Sequence, residues 1–356
     1  MRPLLVHMHG IHMLNWSSWK RAGLTHPLLR AWSRYRFPTW RAQVPAPLRQ
    51  AVSGARVLVV GVYLGRRPNL AADIARELAG AADLEVVQAW IALGQISADP
   101  LLRSLTTSTV TQRIPKFTLL NAVLQGVDLS SFDFLLVSDD DVALPADFLH
   151  GYLALQQACD FALAQPARTL HSHHDHYLTL QRPWLVARRT RFVEIGPVFS
   201  LRADAFQRLL PFSEASPMGW GYDHVWPKLM ERAGLAMGII DRTPVDHSLR
   251  PQSNTSSAAA ELAVMRRYLA GRPHMAQPSA TAGLARIWRM SALPVLPLSA
   301  RRAGPPPGDD AAALARISAE LRAGSELHPD AALDTTGAPG VPVVPSVTRV
   351  TAEPSA

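Results

Sequence analysis

From residue 57 the chain alternates short apolar runs with stretches whose apolar positions recur every three or four residues. Residues 57–63 (VLVVGVY) read as a buried parallel strand, because a strand covered on both faces shows continuous rather than alternating hydrophobicity. Asn69 after Pro68 predicts a helix start; Leu70, Ile74 and Leu78 repeat along it and Gly80 predicts its stop. A second strand is expected over 86–93. A helix carrying Phe117, Leu120 and Leu124 should end at Gly126, followed by a third strand over 132–137 (FDFLLV) and a late one over 237–240. Strands alternating with helices imply an α/β sheet of mostly parallel order, in which ligands bind beyond the carboxyl ends of the strands.

The pattern fades at both ends. Residues 1–55 hold Trp16, Trp19, Trp32 and Trp40 among eight basic side chains and no acid, and residues 276–356 hold 11 of the 29 prolines. The expected organisation is a basic Trp-rich arm over 1–55, a domain over 56–275, and a Pro/Ala-rich tail over 276–356, largely disordered with one helix at 309–322. An arm of this composition suits peripheral contact with an anionic membrane surface, tryptophans at the headgroup level; the plainer reading is an irregular cap on the core.

Composition narrows the classes. A 48% hydrophobic fraction is enough for a buried core. The lone Cys159, in an apolar stretch, excludes a disulfide framework and a Cys-rich zinc ribbon and reads as a small core residue. No apolar run approaches the ~18–20 residues that cross a bilayer, and no secretory leader is apparent. The net charge of +8 equals that of the first 55 residues, and only Lys20, Lys116 and Lys228 of the 36 basic residues are lysines. Without a nucleic-acid fold signature, such arginine-rich charge does not argue for a nucleic-acid partner. Phosphate-loop, dinucleotide-binding, zincin and nucleophile-elbow motifs are absent.

The strongest chemical feature is Ser138-Asp139-Asp140-Asp141, directly after an apolar strand. Three adjacent carboxylates repel one another, so a positive partner is expected, and a hard divalent cation suits their oxygens. Strand alternation would let Asp139 and Asp141 share a ligand while Asp140 faces elsewhere. A solvated acidic turn is the alternative. An EF-hand does not fit, because Leu144 and His150 stand where it needs Gly and Glu.

A strand ending in Asp-x-Asp resembles the nucleotide-sugar site of GT-A glycosyltransferases. Three later segments extend the likeness in the same order. Phe192-Val193-Glu194-Ile195-Gly196-Pro197-Val198-Phe199-Ser200 is similar to a segment of the domain of unknown function 707 family, with Gly196 replacing a Met-Ala pair. Gly219-Trp220-Gly221-Tyr222-Asp223 resembles that family's W-G-x-D and a motif of β-1,4-galactosyltransferases. Gly238-Ile239-Ile240-Asp241 with Val245-Asp246-His247 resembles its GVVD…VH stretch. The resemblance implies a GT-A-like, Rossmann-like mixed sheet flanked by helices. It also implies a hexosyltransferase that passes a sugar from a nucleotide-sugar donor to a glycan or other hydroxyl acceptor.

In that reading Asp139, Asp141 and His247 hold Mn2+ or Mg2+, and Asp140 lies with the donor. Lys116 and Asn121 resemble the donor-holding Lys-x4-Asn of family-two glycosyltransferases, and His176 with Thr179 borders the donor sugar. Trp220, a flat apolar plate between glycines, and Tyr222 shape the acceptor site with Glu194. Asp223, at a helix N-terminus that keeps it ionised, is the expected base of an inverting transfer, although His224 stands where galactosyltransferases carry a second acid. A helix cap is its plainer role. His171, His173, His174 and His176 around Asp175 read as a loop over the site. The expected location is a bacterial cytoplasm, peripheral to the inner membrane. Two other readings stay open: a nucleotidyltransferase using Arg66 and Arg67 after the first strand, and a non-catalytic sugar-binding relic.

Overall fold

The computed structural model describes residues 27–250, 258–275 and 284–298. In chain order its elements are α1 Pro27–Arg36, α2 Ala46–Gln50, β1 Arg56–Leu64, α3 Ala71–Ala79, β2 Glu85–Leu93, α4 Pro100–Leu105 and β3 Thr106–Val110. They continue with α5 Lys116–Gln125, β4 Phe134–Asp139, α6 Phe148–Ala158, β5 Phe161–Arg168, β6 Ala187–Thr190 and β7 Val198–Arg202. The last are α7 Ala203–Leu209, α8 Tyr222–Arg232, β8 Ala236–Val245, α9 Ala258–Leu269 and β9 Ala285–Ile287.

The nine strands form one mixed sheet in the order β3-β2-β1-β4-β7-β5-β8-β6-β9. Only β6 and β7 run against the others, as their antiparallel pairing with β8, β9, β4 and β5 requires. Alternate strand residues feed opposite layers. Phe134 and Leu136 of β4 pack with Ile74, Leu78, Phe148 and Tyr152 from α3 and α6. Leu135 and Val137 pack with Phe117, Leu120 and Leu124 of α5 and Trp226 of α8. The predicted first helix is α3; Asn69 Oδ1 accepts from Ala71 N at 3.2 Å, and the cap residue itself is Leu70.

The packed unit reaches beyond 56–275 in both directions. Ala42, Val44, Leu48 and Val52 of the arm join the core under α6, with Leu293 and Leu298 of the tail packed against it. Stretch 285–287 of the tail supplies the edge strand β9 beside β6. These residues are apolar at the spacing their contacts need, which the surrounding Pro and Arg content obscures. Trp16, Trp19 and the expected helix at 309–322 lie outside the described residues. Cys159 is half-buried against the core, and burial pushes its thiol up to about 12, as suits an inert core sulfur. Among the described residues no helix is long and apolar enough to cross a membrane.

Candidate active site

Topology gathers the candidate residues at one edge of the sheet. The carboxyl ends of β1, β4, β5 and β8 share that edge, and β7, running the other way, brings the preceding loop with Glu194 to it. The Gly219–Gly221 turn is fixed there by its glycines. Gly219 (φ +82°) has no room for a side chain, since a Cβ would stand 2.3 Å from Phe117 and 2.4 Å from Ile195. Gly221, at φ +96°, opens α8 in the left-handed region.

The acidic triplet does not point as strand alternation suggests. β4 ends at Asp139 and the backbone bends through Asp140 and Asp141, so the period of two stops there. Asp139 is partly exposed and pairs with Lys116 Nζ at the start of α5. Asp140 is buried; its Oδ2 accepts from Leu64 N at 2.7 Å and its carboxylate pairs with Arg250. Burial raises the Asp140 carboxyl, against the pull of Arg250 and the Leu64 amide. It is thus turned inward to tie β4 to the end of β1, a correction to its expected place beside a donor.

Asp141 Oδ2 receives Arg250 Nε at 3.1 Å, and its Oδ1 lies 3.2 Å from His247 Nε2. Burial favours the neutral form of Asp141, but His247 and Arg250 outweigh it and bring the carboxyl down to about 2. His247 is held by its backbone: its N–H donates to Ser172 Oγ at 2.9 Å and its carbonyl accepts from His173 N at 2.9 Å. Its Nδ1 is buried without a partner.

A divalent ion fits part of this set. Two ligands at right angles on one octahedral ion, with bonds of about 2.1 Å, stand about 3 Å apart, close to the 3.2 Å between Asp141 and His247. Carboxylate and imidazole are donors that Mn2+ accepts. The expected trio is not assembled, however: Asp139 is drawn to Lys116, and among the described residues no three His, Cys, Asp or Glu side chains are grouped to hold an ion.

Glu194 and Asp223 face the same edge. Glu194 is buried with Arg168, whose Nη2 lies 2.9 Å from Oε2 and also donates to Gly196 O at 2.7 Å. Burial pushes the Glu194 carboxyl up to about 7 despite Arg168, with Asp175 and Asp223 adding to the rise. Asp223 stands in the first turn of α8, and burial raises its carboxyl too. His224, His176 and the Asp223 and His224 amides oppose that rise. His176 packs edge-on against Phe192 at 4.8 Å, and burial lowers its pKa against the pull of Asp223. Trp220 is half-buried, its carbonyl accepting from Ser216 Oγ at 2.7 Å.

Two expected ligand-binding residues are structural instead. Asn121 is buried and clamps the loop after α7: Nδ2 donates to Phe212 O at 2.8 Å and Oδ1 accepts from Phe212 N at 2.9 Å. Tyr222 is fully buried, stacked on Trp226 at 5.0 Å, and its hydroxyl donates to Ser213 O at 2.7 Å. The histidine loop is tied down: His171 is buried 3.0 Å from Asp246, and His174 packs on Tyr177. Thr179 is also buried, its Oγ1 donating to His176 O at 2.7 Å. Arg250 and Arg168 were not visible as site residues in the sequence; the one available signal was the triplet's need for positive charge.

No family model matches the chain, and no curated protein matches it. Solved structures are similar over part of it. GalNAc-T7 with UDP, GalNAc and Mn2+ is 9% identical at a TM-score of 0.39, over 60% of this chain and 47% of that one. S. aureus TarS 1-349 in complex with UDP-GlcNAc is 12% identical at 0.40, over 60% of this chain and 65% of that one. Glucosyl-3-phosphoglycerate synthase from Mycobacterium tuberculosis with Mn2+, UDP-glucose and phosphoglyceric acid is 14% identical at 0.40, over 62% and 81%. The chain thus spans about half the length of the first of these and under two thirds of the second.

Proposed function

We propose that the chain is a GT-A-like glycosyltransferase that moves a sugar from a nucleotide-sugar donor to a hydroxyl of a glycan or similar acceptor. The observation that carries this reading is the Asp141–His247 pair at 3.2 Å on the carboxyl edge of the sheet, with Asp223 near enough to Glu194 to add to the rise of its carboxyl. Asp141 Oδ1 and His247 Nε2 would hold Mn2+ or Mg2+. Such an ion supplies Lewis-acid neutralisation of the donor diphosphate as it leaves.

The chain's own groups supply the rest. Lys116 beside Asp139 offers an ammonium to the donor phosphates. Asp223 takes the acceptor's hydroxyl proton while that oxygen bonds to the anomeric carbon and the bond to the nucleoside diphosphate breaks, an inverting displacement. A carboxylate raised by burial is a stronger base than an exposed one. Trp220, between its two glycines, gives the acceptor ring a flat apolar surface. Arg168 positions Glu194 beneath the acceptor side.

Thermal melting with UDP-, GDP- and dTDP-sugars, with and without Mn2+, tests the reading. One nucleotide class should raise the melting temperature only with the ion, because a ligand that prefers the folded state stabilises it. Equal melting across the panel would overturn it, and pyrophosphate release from a nucleoside triphosphate would transfer the site to nucleotide-sugar synthesis.

A further inference from the structure

Arg168 ends β5, and the sheet fixes its backbone. It lies opposite Val245 of β8, its carbonyl accepts from Gln181 N at 2.7 Å, and the next amide, Thr169 N, donates to Val245 O at 2.9 Å. Its side chain is buried and joins two separate loops. Nη1 donates to His173 O at 2.9 Å; Nη2 donates to Gly196 O at 2.7 Å and lies 2.9 Å from Glu194 Oε2. Each loop is bonded in turn to a strand end that leads to a candidate ligand. His173 N donates to His247 O at 2.9 Å and Ser172 Oγ accepts from His247 N at 2.9 Å, so residues 172–173 grip both backbone groups of His247. On the other side, Pro197 O accepts from Asp139 N at 2.7 Å, and a Cβ on Gly196 would stand 3.1 Å from Asp139 Oδ2. One guanidinium therefore links the end of β4, from which Asp141 follows, to His247 just beyond β8.

We propose that Arg168 is a positioning residue of the metal centre, its fork fixing the spacing of Asp141 and His247; this goes beyond its pairing with Glu194 and rests on the reading of those two residues as ligands. A coordination shell tolerates little error: its ligands must be held within about 0.5 Å of their bonding geometry by groups that are themselves locked. His247 follows its strand by two residues and gains that rigidity from a side chain planted in the sheet. Arginine suits the task because its guanidinium is planar and presents its N–H groups in a fixed fork, so two carbonyls bound to it keep a set separation. A lysine ammonium, a point charge on a flexible stem, does not do this. Both carbonyls belong to the backbone, so the coupling passes from Arg168 to the loops and from the loops to the ligands without Arg168 touching an ion. Outer partners of this kind change metal affinity by about 10–100-fold when they are lost.

A double-mutant cycle of Arg168→Lys and His247→Ala tests it, with Mn2+ titrated into the full chain at saturating UDP and the free ion followed by electron paramagnetic resonance into the millimolar range. Lysine leaves a positive charge beside Glu194 but has no fork. Arg168→Lys should weaken Mn2+ binding about tenfold in the native background and change it less than about twofold in the His247→Ala background, where the positioned imidazole is already gone. A residue that only supports the fold would weaken both backgrounds alike. Arg168→Met/Glu194→Leu removes both charges and leaves neither unpaired in the interior; it should repeat the pattern, and it replaces the lysine variant if that one loses its native melting temperature. With His247→Ala alone weakened, native-like Mn2+ binding in the Arg168 variants, or an equal loss in both backgrounds, would overturn the role of Arg168 and leave the centre standing. No Mn2+ binding by the native chain, or undiminished binding by His247→Ala, would overturn the centre itself and the role of Arg168 with it.

Discussion

His247 Nε2 stands 3.2 Å from Asp141 Oδ1, and the other oxygen of that carboxylate is held by Arg250. One arginine therefore bridges Asp140 and Asp141, while Lys116 pairs with Asp139. The repulsion built into the triplet is eased by two cations of the protein, from the start of α5 and from beyond β8. Any ion held by Asp141 and His247 shares the carboxylate with Arg250.

Replacing that arginine should expose the balance. Arg250→Gln leaves the buried Asp140 and the adjacent Asp141 without their cation, at an expected cost of about 3 kcal/mol. Added Mn2+ should restore more melting temperature in this variant than in the native chain, because it supplies the missing charge. Thermal melts of both proteins with and without Mn2+ check this.

Glu194 gives the pH dependence a sign. Its folded pKa of about 7 lies above its ordinary 4.5, so the folded state keeps a proton that the unfolded chain has released. That contribution to stability is complete below about 4.5 and fades as pH rises through about 7. Denaturant melts across this window should show Glu194→Gln losing that part of the slope.

Asp223→Asn keeps the size of the side chain and removes the base. Transfer should fall by about 10²–10⁴ in kcat, with donor affinity within a few fold of native. Steady-state kinetics and nucleotide titration separate the two quantities. Loss of donor affinity instead would place Asp223 on the donor.

Asp241, within β8, is fully buried. It accepts from Arg188 Nε at 2.8 Å, Arg188 Nη2 at 2.9 Å and Arg182 N at 2.7 Å. Asp241→Asn leaves the Arg188 charge unpaired in the core and should cost about 3–5 kcal/mol, measured by chemical denaturation. Nucleotide affinity under folding conditions should not change.

The legible parts of the fold were those whose physics is local. β1, β2, α3 and α5 announced themselves through continuous apolar runs or helical spacing ended by glycine. β3 (TTSTV) did not, because a polar edge strand has no apolar period. β6 (ARRT) carries Arg188, whose burial depends on Asp241 at a separation of 53 residues. In the site, the positions of Asp139, Asp141 and His247 at the sheet's edge followed from strand ends, but their mutual orientation did not. The bend after Asp139 and the Arg250 contact, 110 residues away from Asp140, are tertiary. Asn121 and Tyr222 sit in motifs by spacing, yet the polar groups of both are consumed by backbone, which motif spacing does not reveal.

Calorimetric titration of Mn2+ into the protein with saturating UDP, in native chain and in Asp141→Ala, tests the proposed centre most directly. One ion per chain is expected in the native protein, with at least about tenfold weaker binding in the variant and the same overall fold by circular dichroism. Equal Mn2+ binding in both proteins, or none in the native chain, would contradict the assignment of Asp141 and His247 as the ligands of a catalytic ion.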